Sequence, residues 1–309
     1  FHWLKEILVE LKDAEGLFYL GNAFCGRELF ESGIECYDES LEQKPNAAAY
    51  NNRGAAYAKL NEHERAIKDY DEAIKLIRTS PQTFQAPNYA EVYYNRGNSY
   101  AELNKHEQAI KDYDKAIKLN PAFAEAYNNR GLAYAKLNKH EQAIEDFNKA
   151  IALNPTFAEA YNNRGAAYAD LNQHERAIKD YDKAIALNPA FAKAYYNRGN
   201  SYAELNKHEQ AIKDYGKAIK LNPDDAEAYG NRGIAYSEIL RYEESARDLK
   251  RAGILFLHSG REEDAIKAFY ICFELRDKIE NGDVVYCGLA LLLLTSDADV
   301  MNELRGMRI

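Results

Sequence analysis

The chain has 309 residues, of which 40 are Lys or Arg and 49 are Asp or Glu, and its formal net charge is −9. This balance, without a basic stripe along the chain, argues against a nucleic-acid partner. The most apolar run, Gly288–Leu294, is far shorter than the ~18 residues of a membrane-spanning helix, so we expect no membrane segment.

The first predicted element is an amphipathic helix. Its apolar stripe at helical spacing consists of Trp3, Leu4, Ile7, Leu8 and Leu11. We interpret residues 1–13 as an N-terminal capping helix; the alternative is that they belong to an absent preceding repeat. No signal peptide is visible, which favours a cytoplasmic location. The start at Phe1 instead of a methionine leaves open that upstream sequence was removed.

From residue 14 onward the sequence repeats. Glycines recur at one constant interval, at Gly97, Gly131, Gly165, Gly199 and Gly233. A fixed period of roughly 20–50 residues indicates a repeat array, in which each unit packs only on its neighbours. We predict six repeats over residues 14–223, which begin at Ala14, Ala47, Ala90, Ala124, Ala158 and Ala192.

One repeat, residues 124–157, contains two helical patterns. Tyr127, Gly131 and Tyr134 lie on one face of a first helix, A, and a second helix, B, carries the apolar stripe around Phe147. A polar segment, residues 137–140, separates them, and Pro155 cannot continue the second helix. We therefore predict two antiparallel helices that must stack on neighbouring pairs to cover their apolar faces.

Seven positions of this unit carry a recurring residue pattern. They are Tyr, Gly, Tyr, Ala, Phe, Ala and Pro at positions 4, 8, 11, 20, 24, 27 and 32. The pattern resembles the tetratricopeptide repeat (TPR) family over residues 14 to about 276. This resemblance implies an all-α fold, a right-handed TPR superhelix (α-solenoid) of antiparallel helix pairs with helical caps. Position 7 departs from the family, because Arg stands where leucine is common; we expect its stem to pack and its head to stay in water.

Two segments break the period. The step from Gly54 to Gly97 is longer than the constant interval of the later glycines, and nine residues are inserted within 77–89. We predict a loop there, after a longer helix B; it is either a tolerated surface insertion or a loop that touches a partner.

In residues 224–309 the repeats are atypical, because Gly253 follows Gly233 well before one period is complete. Helix B of the seventh repeat is therefore predicted to serve as helix A of the next unit. Two further helices, near 283–294 and 297–305, are predicted to close the last apolar face, with Ser296 and Asp299 as a capping signal between them.

Helix A carries a second, polar stripe, which in the TPR family resembles the wall of a concave peptide-binding groove. Asparagine can pair with a peptide backbone without selecting its sequence, and alanine at position 12 leaves room for a ligand. The predicted groove residues are Asn52, Asn95, Asn129, Asn163, Asn197 and Asn231 at position 6, Asn98 and Asn200 at position 9, Tyr94 and Tyr196 at position 5, and Lys193. The alternative is that these asparagines bond neighbouring helices or water.

No catalytic residues, metal ligands or cofactor motif are recognised. The position-17 histidines, such as His106 and His140, lie one repeat apart, roughly 10 Å. Metal–nitrogen bonds are ~2 Å long, so no two of them can share an ion. We expect the four cysteines to be free and mostly buried thiols.

The predicted function is a non-enzymatic scaffold that binds an extended peptide or a partner protein in the groove. One alternative is a self-assembling module, for which a homo-oligomer is expected. Another is the targeting arm of an enzyme with its catalytic domain upstream of Phe1. The clamp that grips a chaperone tail is incomplete, since Lys193 is followed by Asn197 where that clamp requires arginine.

Overall fold

The computed structural model describes residues 2–79, 86–279 and 282–295. These residues form seventeen α-helices and one short 3-10 helix, and no strand occurs among them. The chain forms two compact units, Phe1–Pro155 and Thr156–Ile309. The predicted all-α repeat fold is confirmed.

The described residues of the first unit, 2–79 and 86–155, form nine helices. They are α1 (His2–Glu10), α2 (Ala14–Cys25), α3 (Phe30–Gln43), α4 (Ala47–Lys59), α5 (His63–Thr79), α6 (Ala86–Glu102), α7 (His106–Leu119), α8 (Ala124–Lys136) and α9 (His140–Leu153). From α2 onward they form A–B pairs, and each pair packs on the next within the unit.

In the second unit, residues 156–279 and 282–295 are described, and they form eight α-helices and the 3-10 helix. They are α10 (Ala158–Asp170), α11 (His174–Leu187), α12 (Ala192–Glu204), α13 (His208–Leu221), α14 (Ala226–Glu238), α15 (Tyr242–His258), α16 (Glu262–Phe273), the 3-10 helix Glu274–Asp277 and α17 (Gly282–Thr295). The predicted first residues of the A helices are confirmed except in the third repeat, where α6 begins at Ala86.

Most helix pairs are closed by an aromatic ring that rests on a glycine; in the α14–α15 pair Leu249 takes the place of the ring at Gly233. A Cβ atom at Gly131 would lie 2.7 Å from Cε1 of Phe147, and a Cβ atom at Gly97 would lie at the same distance from Cε1 of Tyr113. Both rings are fully buried, and burial of such a ring contributes roughly 1.5–3 kcal/mol. The missing side chain of glycine is therefore what lets helices A and B approach.

One residue of the turn between the helices of a pair has a left-handed backbone conformation. Asn138 has φ 57°, and the equivalent asparagines have the same conformation, which asparagine tolerates better than most residues. In the seventh repeat Leu240 takes this place with φ 62°. The predicted polar turn is one residue shorter than expected, because His140 already belongs to α9.

The position-7 arginines pack differently from the prediction. Their heads do not stay in water: Arg96 Nε and Nη2 donate to Asp112 at 2.7 and 2.6 Å, and Nη1 donates to Asp71 of the preceding repeat at 2.5 Å. The same double pairing recurs at Arg53, Arg130 and Arg198. The carboxylates that attract each guanidinium lie on other helices, beyond the reach of a one-helix pattern.

Burial and the neighbouring charges shift the pKa values of Arg96 and Asp112 in opposite directions. Burial acts to lower the pKa of Arg96, but the hydrogen bonds and charges of Asp112 and Asp71 raise it above its ordinary value. Burial raises the pKa of the Asp112 carboxyl, and the hydrogen bonds from Arg96 oppose that rise. The Arg96 guanidinium and the Asp112 carboxylate thus form a mostly buried pair within one repeat, and the exposed Asp71 links that pair to the preceding repeat. Removal of Arg96 or Asp112 would leave a buried charge.

The inserted segment is more helical than predicted. Residues 77–79 belong to α5 and residues 86–89 belong to α6; the rest of the predicted loop, 80–85, lies outside the described residues. Arg78 stands where other repeats have proline, so α5 continues through this position. The Nη2 atom of Arg78 donates to the Tyr93 hydroxyl at 2.9 Å. Tyr89 packs one turn before Tyr93, with ring centroids 5.0 Å apart, which supports the early start of α6.

The shared helix predicted in the seventh repeat is confirmed. α15 packs against both α14 and α16: Leu249 fills the space at Gly233, and Gly253 faces the ring of Phe269. α17 then packs on α15 and α16, as predicted for 283–294. The second predicted helix, 297–305, and its capping residues Ser296 and Asp299 lie outside the described residues.

At the N-terminal end, two of the five residues of the predicted stripe pack. Leu4 and Leu8 of α1 contact the cluster of Leu20, Phe24 and Cys36. The remaining stripe residues, Trp3, Ile7 and Leu11, are exposed. Among the cysteines, all four thiols are free and only Cys25 is not fully buried.

Two glycines of α14 should respond oppositely to alanine. A Cβ at Gly233 would lie 2.9 Å from Leu249 Cγ and 3.2 Å from the Ser245 carbonyl oxygen, whereas one at Gly230 meets only Ala252 Cβ at 3.8 Å. Gly233→Ala should lower the free energy of unfolding by about 1–3 kcal/mol through overpacking. Gly230→Ala should raise it by about 0.5–1 kcal/mol. Urea unfolding measures both, and a change of the same sign in the two variants would contradict this account.

Arg232, one of the position-7 arginines, has no second carboxylate beside it among the described residues. Residues 95–121 and 197–223 are identical except that Asp114 is replaced by Gly216, and a Cβ there would lie 3.4 Å from Arg232 Nη1. Gly216→Asp should therefore raise the free energy of unfolding by about 1 kcal/mol, from helix propensity and one exposed ion pair. The mirror variant Asp114→Gly should lower it by a similar amount. A urea midpoint that does not rise in Gly216→Asp would refute the role assigned to this pair.

Candidate functional site

Open clefts lie between successive A helices within each unit. The α4–α6 cleft has a volume of 490 Å³, and the α6–α8 and α12–α14 clefts have volumes of 580 Å³ each. Each cleft is bounded by two A helices and by the first turns of the B helix between them. These recurring concave features follow the predicted polar stripe, and they form the candidate site.

The α6–α8 cleft shows how the repeat builds this site. Its lining residues are Asn98, Ala101, Glu102, Asn104, His106, Tyr113, Asn129, Leu132, Ala133 and Lys136. Residues three and four apart on a helix share one face, which brings the side chains at positions 9, 12 and 13 of α6 to the same wall. The position-12 alanines do leave room, since Ala58, Ala101 and Ala203 line the three clefts.

Five of the predicted groove residues line these clefts. They are Asn95, Asn98, Asn129, Asn200 and Asn231. The other six do not line the three clefts: Asn52, Asn163, Asn197, Tyr94, Tyr196 and Lys193. Among these, Lys193 is exposed on α12.

The asparagine amides bond to neighbouring repeats. Asn129 Nδ2 donates to Asn98 Oδ1 at 2.9 Å and to the Tyr94 hydroxyl at 3.0 Å, while Tyr113 donates to the same Asn98 oxygen at 2.8 Å. Asn231 makes the equivalent bonds to Asn200 and Tyr196. The alternative left open by the sequence, that these amides bond neighbouring helices, therefore describes much of the stripe. The amides form a preorganised polar floor that also ties one repeat to the next.

The other predicted asparagines bond in the same direction. Asn52 Nδ2 donates to Asn22 Oδ1 at 2.8 Å, and Asn197 Nδ2 donates to Asn162 Oδ1 at 3.0 Å. Asn95 Nδ2 lies 3.4 Å from Asn51 Oδ1. Asn163 accepts a long bond of 3.4 Å from the adjacent Asn162. In each of these bonds between asparagines of different repeats, the later repeat donates to the earlier one.

Tyr94 and Tyr196 are built into this floor. The Tyr94 ring lies 4.7 Å from the centroid of Phe123 and 6.0 Å from that of Tyr113, and Tyr196 lies 6.0 Å from Tyr215. Burial raises the pKa of both hydroxyls, so they are protonated at neutral pH. Their rings are half-buried, and stacking on a bound side chain stays a prediction for them.

Exposed side chains at positions 9 and 13 of the same helix A stripe line the mouths of the clefts. Leu132 and Ile234 are 39% and 41% exposed and occupy position 9, where Asn98 and Asn200 stand in other repeats. Each is an apolar residue on an otherwise polar stripe. Position 13, the last residue of each A helix, supplies charge: Lys59, Glu102 and Lys136 in the first unit, and Glu204 and Glu238 in the second.

The turn histidines begin the B helices. His63, His106 and His208 are the first residues of α5, α7 and α13, and each has a buried Nδ1 atom that no hydrogen-bonding group of the described residues reaches. Across residues 2–79, 86–279 and 282–295, no three His, Cys, Asp or Glu side chains are placed to share a metal ion. None of the helices described there is both long and apolar enough to cross a membrane.

The floor amides should contribute to stability apart from any ligand. Asn129→Ala would leave the Asn98 carbonyl and the Tyr94 hydroxyl without their cross-repeat donor, so we expect unfolding to become easier by about 1 kcal/mol. Leu132→Ala, one turn further along α8 at the open mouth, serves as the control and should change little. Equal urea midpoints for Asn129→Ala and the unsubstituted chain would show that the floor bonds carry no net stability.

Comparison with known proteins identifies the repeats. Models of the tetratricopeptide repeat match residues 47–80, 124–157, 158–191, 192–225 and 215–267, and a TPR repeat model matches residues 97–138. The matches cover well over half of the chain. They include each of the helix pairs that form the three clefts, in whole or in part.

Individual relatives match smaller parts or at lower identity. Stress-induced-phosphoprotein 1 of Caenorhabditis elegans is 35% identical over 85 residues, which is 24% of this chain and 27% of that protein. The match thus spans about a quarter of the relative's length.

Solved structures are similar over longer stretches. A tetratricopeptide repeat protein from Parabacteroides merdae ATCC 43184 has a TM-score of 0.64 at 22% identity, over 83% of this chain and 98% of that chain. YrrB, described as a TPR protein with an unusual peptide-binding site, has a TM-score of 0.49 at 26% identity, over 63% of this chain and 96% of its own. The first of these similarities shows the shared fold.

The TPR fold is typically a non-catalytic scaffold for other proteins. The repeat models, the stacked A–B helix pairs and the recurring clefts agree on one assignment. The chain belongs to the tetratricopeptide repeat family and is a protein–protein interaction module.

Proposed function

We propose that the chain binds an extended segment of a partner protein across the clefts between its A helices. The observation that carries the proposal is the recurrence of one open cleft at equivalent places, two of which set an exposed apolar residue beside a polar floor. Ligand sites of proteins commonly combine apolar contact area with a few fixed polar groups. A side chain of the partner would lie on Leu132 or Ile234, and its backbone would run along the floor asparagines.

The floor amides suit an extended backbone in this proposal. Asn98, Asn129, Asn200 and Asn231 are held by cross-repeat bonds, so their orientation is fixed before a ligand arrives. A fixed polar group loses less entropy on binding than a mobile one. An amide oxygen can accept two hydrogen bonds. The Asn98 and Asn200 oxygens already accept two each, so the Asn129 and Asn231 oxygens are the ones that would accept from peptide N–H groups.

The predicted groove residues outside the three clefts have a different place in this proposal. Asn52, Asn163 and Asn197 extend the same floor along their own A helices. Tyr94 and Tyr196 anchor the floor asparagines of the next repeat, and exposed Lys193 would meet acidic residues of a partner that extends along α12.

The experiment compares two leucines of similar exposure. Leu132 lines the α6–α8 cleft, whereas Leu153, 42% exposed at the end of α9, lines none of the three clefts. A random peptide library is panned on the full chain, and the affinity of the selected peptides is measured by fluorescence anisotropy. Leu132→Ser combined with Ile234→Ser should weaken binding by about fivefold or more, from lost apolar contact.

The control is Leu153→Ser, which should leave affinity unchanged. Circular dichroism of each variant verifies that the helices are intact. Selected peptides that bind the cleft variants as tightly as the unsubstituted chain would reject the clefts as the binding site. Failure of the full chain to select any peptide would reject extended-peptide binding itself.

A further inference from the structure

Two of the clefts are near copies. The α6–α8 and α12–α14 clefts have the same volume, 580 Å³, and their lining positions correspond one to one, three repeats apart. Eight of the ten lining residues are identical. The two that differ are Leu132 against Ile234 and Lys136 against Glu238. The chain thus contains its own comparison between two clefts of one shape and different charge.

The charge difference is concentrated at the cleft mouth. In the α6–α8 cleft Glu102 and Lys136 offset each other, whereas in the α12–α14 cleft Glu204 and Glu238 are both acidic. All four side chains are exposed, and in the described part of the chain none of them forms an ion pair with another residue. The α12–α14 cleft therefore presents two carboxylates, and none of the described residues that line it is a lysine or an arginine.

A third acceptor lies on the floor of the same cleft. Asn128 Nδ2 donates to Asn129 Oδ1 at 3.1 Å, but glycine occupies the corresponding position, Gly230, in α14. Asn231 uses its Nδ2 atom for Tyr196 and Asn200, and no donor reaches its Oδ1 atom from the described residues. The Asn231 oxygen of the α12–α14 cleft is therefore available as an acceptor, whereas the corresponding Asn129 oxygen already accepts one hydrogen bond.

The remaining differing residue supplies an apolar surface. Ile234 is 41% exposed and lines the cleft one turn before Glu238 on α14. Long basic side chains place their methylene stem along apolar surface while their charged head remains in a polar environment. Ile234 offers apolar surface for the stem of a lysine or arginine side chain. The two carboxylates and the Asn231 oxygen offer acceptors for its charged head.

We propose that the α12–α14 cleft selects a basic side chain, lysine or arginine, of the bound partner segment, and that the α6–α8 cleft does not. The stem packs on Ile234, and the cationic head donates to Glu204, Glu238 and the Asn231 oxygen. This proposal rests on the proposed function and names the chemistry of one partner residue. Charge-assisted hydrogen bonds of this kind are stronger than neutral ones.

The test uses capped alanine-rich peptides that differ only at a central residue, which is lysine, norleucine or glutamate. Norleucine keeps the aliphatic stem and lacks the charge. Binding to the full chain is measured by fluorescence anisotropy in buffer with a chelator, which removes divalent cations. We expect the lysine peptide to bind about three- to tenfold more tightly than the norleucine peptide, as for two partly exposed ion pairs. Added salt should reduce this preference.

Matched variants assign the preference to one cleft. Glu238→Lys gives the α12–α14 cleft the charge of its copy and should abolish the preference for lysine. Glu238→Gln, which keeps shape and removes the charge, should reduce it. The reverse change, Lys136→Glu, should add a second lysine-selective cleft and strengthen binding of the lysine peptide.

The outcomes separate this inference from the proposed function. Equal affinity for the lysine and norleucine peptides, or an undiminished preference in Glu238→Lys, would overturn the charge selectivity while leaving peptide binding intact. Absence of binding by all three peptides, at concentrations that saturate the panned peptides, would also overturn it. If the panned peptides fail as well, the proposed function falls with it.

Discussion

The contact between a glycine of helix A and an aromatic ring of helix B is the constraint on which the rest of the structure depends. At Gly97, Gly131, Gly165 and Gly199 a methyl group would lie 2.7 Å from the ring that covers it, closer than atoms pack in a protein interior. This contact fixes how near the two helices lie and which residues of helix A face away from the B helices. The polar stripe and the clefts are the exposed consequence of that buried contact.

Polar bonds then hold successive pairs in register. Apolar packing alone is non-directional, but Arg130 reaches Asp146 of its own repeat and Asp114 of the preceding one, and Asn129 reaches back to Asn98. These two links start from different positions on α8, so each limits the rotation that the other leaves open. The same geometry at each repeat explains why the two near-copy clefts have equal volumes.

The sequence predicted the helix pairs well because their signals are local. Period, glycine positions and the proline after helix B place nearly every A helix, and the doubled use of α15 follows from the short spacing of Gly233 and Gly253. The arginine heads were wrongly expected in water, because their partners lie on other helices of the array. The partners of Asn129 lie 31 and 35 residues away. Residue type alone does not tell whether such an amide bonds a neighbour or a ligand.

The arrangement joins a regular scaffold to locally varied clefts. Substitutions at position 13, and of the apolar residues Leu132 and Ile234 at position 9, change cleft chemistry without touching the glycine–aromatic contact or the arginine pairs, because those side chains line the open mouth. A single framework can therefore present a neutral cleft in one unit and an acidic cleft in the other.

The most direct test of the central claim is the chemical-shift map of the ¹⁵N-labelled full chain with a panned peptide. The account predicts that the amides whose signals move cluster around the cleft walls, on residues 98–104 and 129–136 and on their equivalents in α12 and α14. Shift changes confined to the exposed outer side of the B helices, around Lys111 and Lys115 of α7, would contradict it.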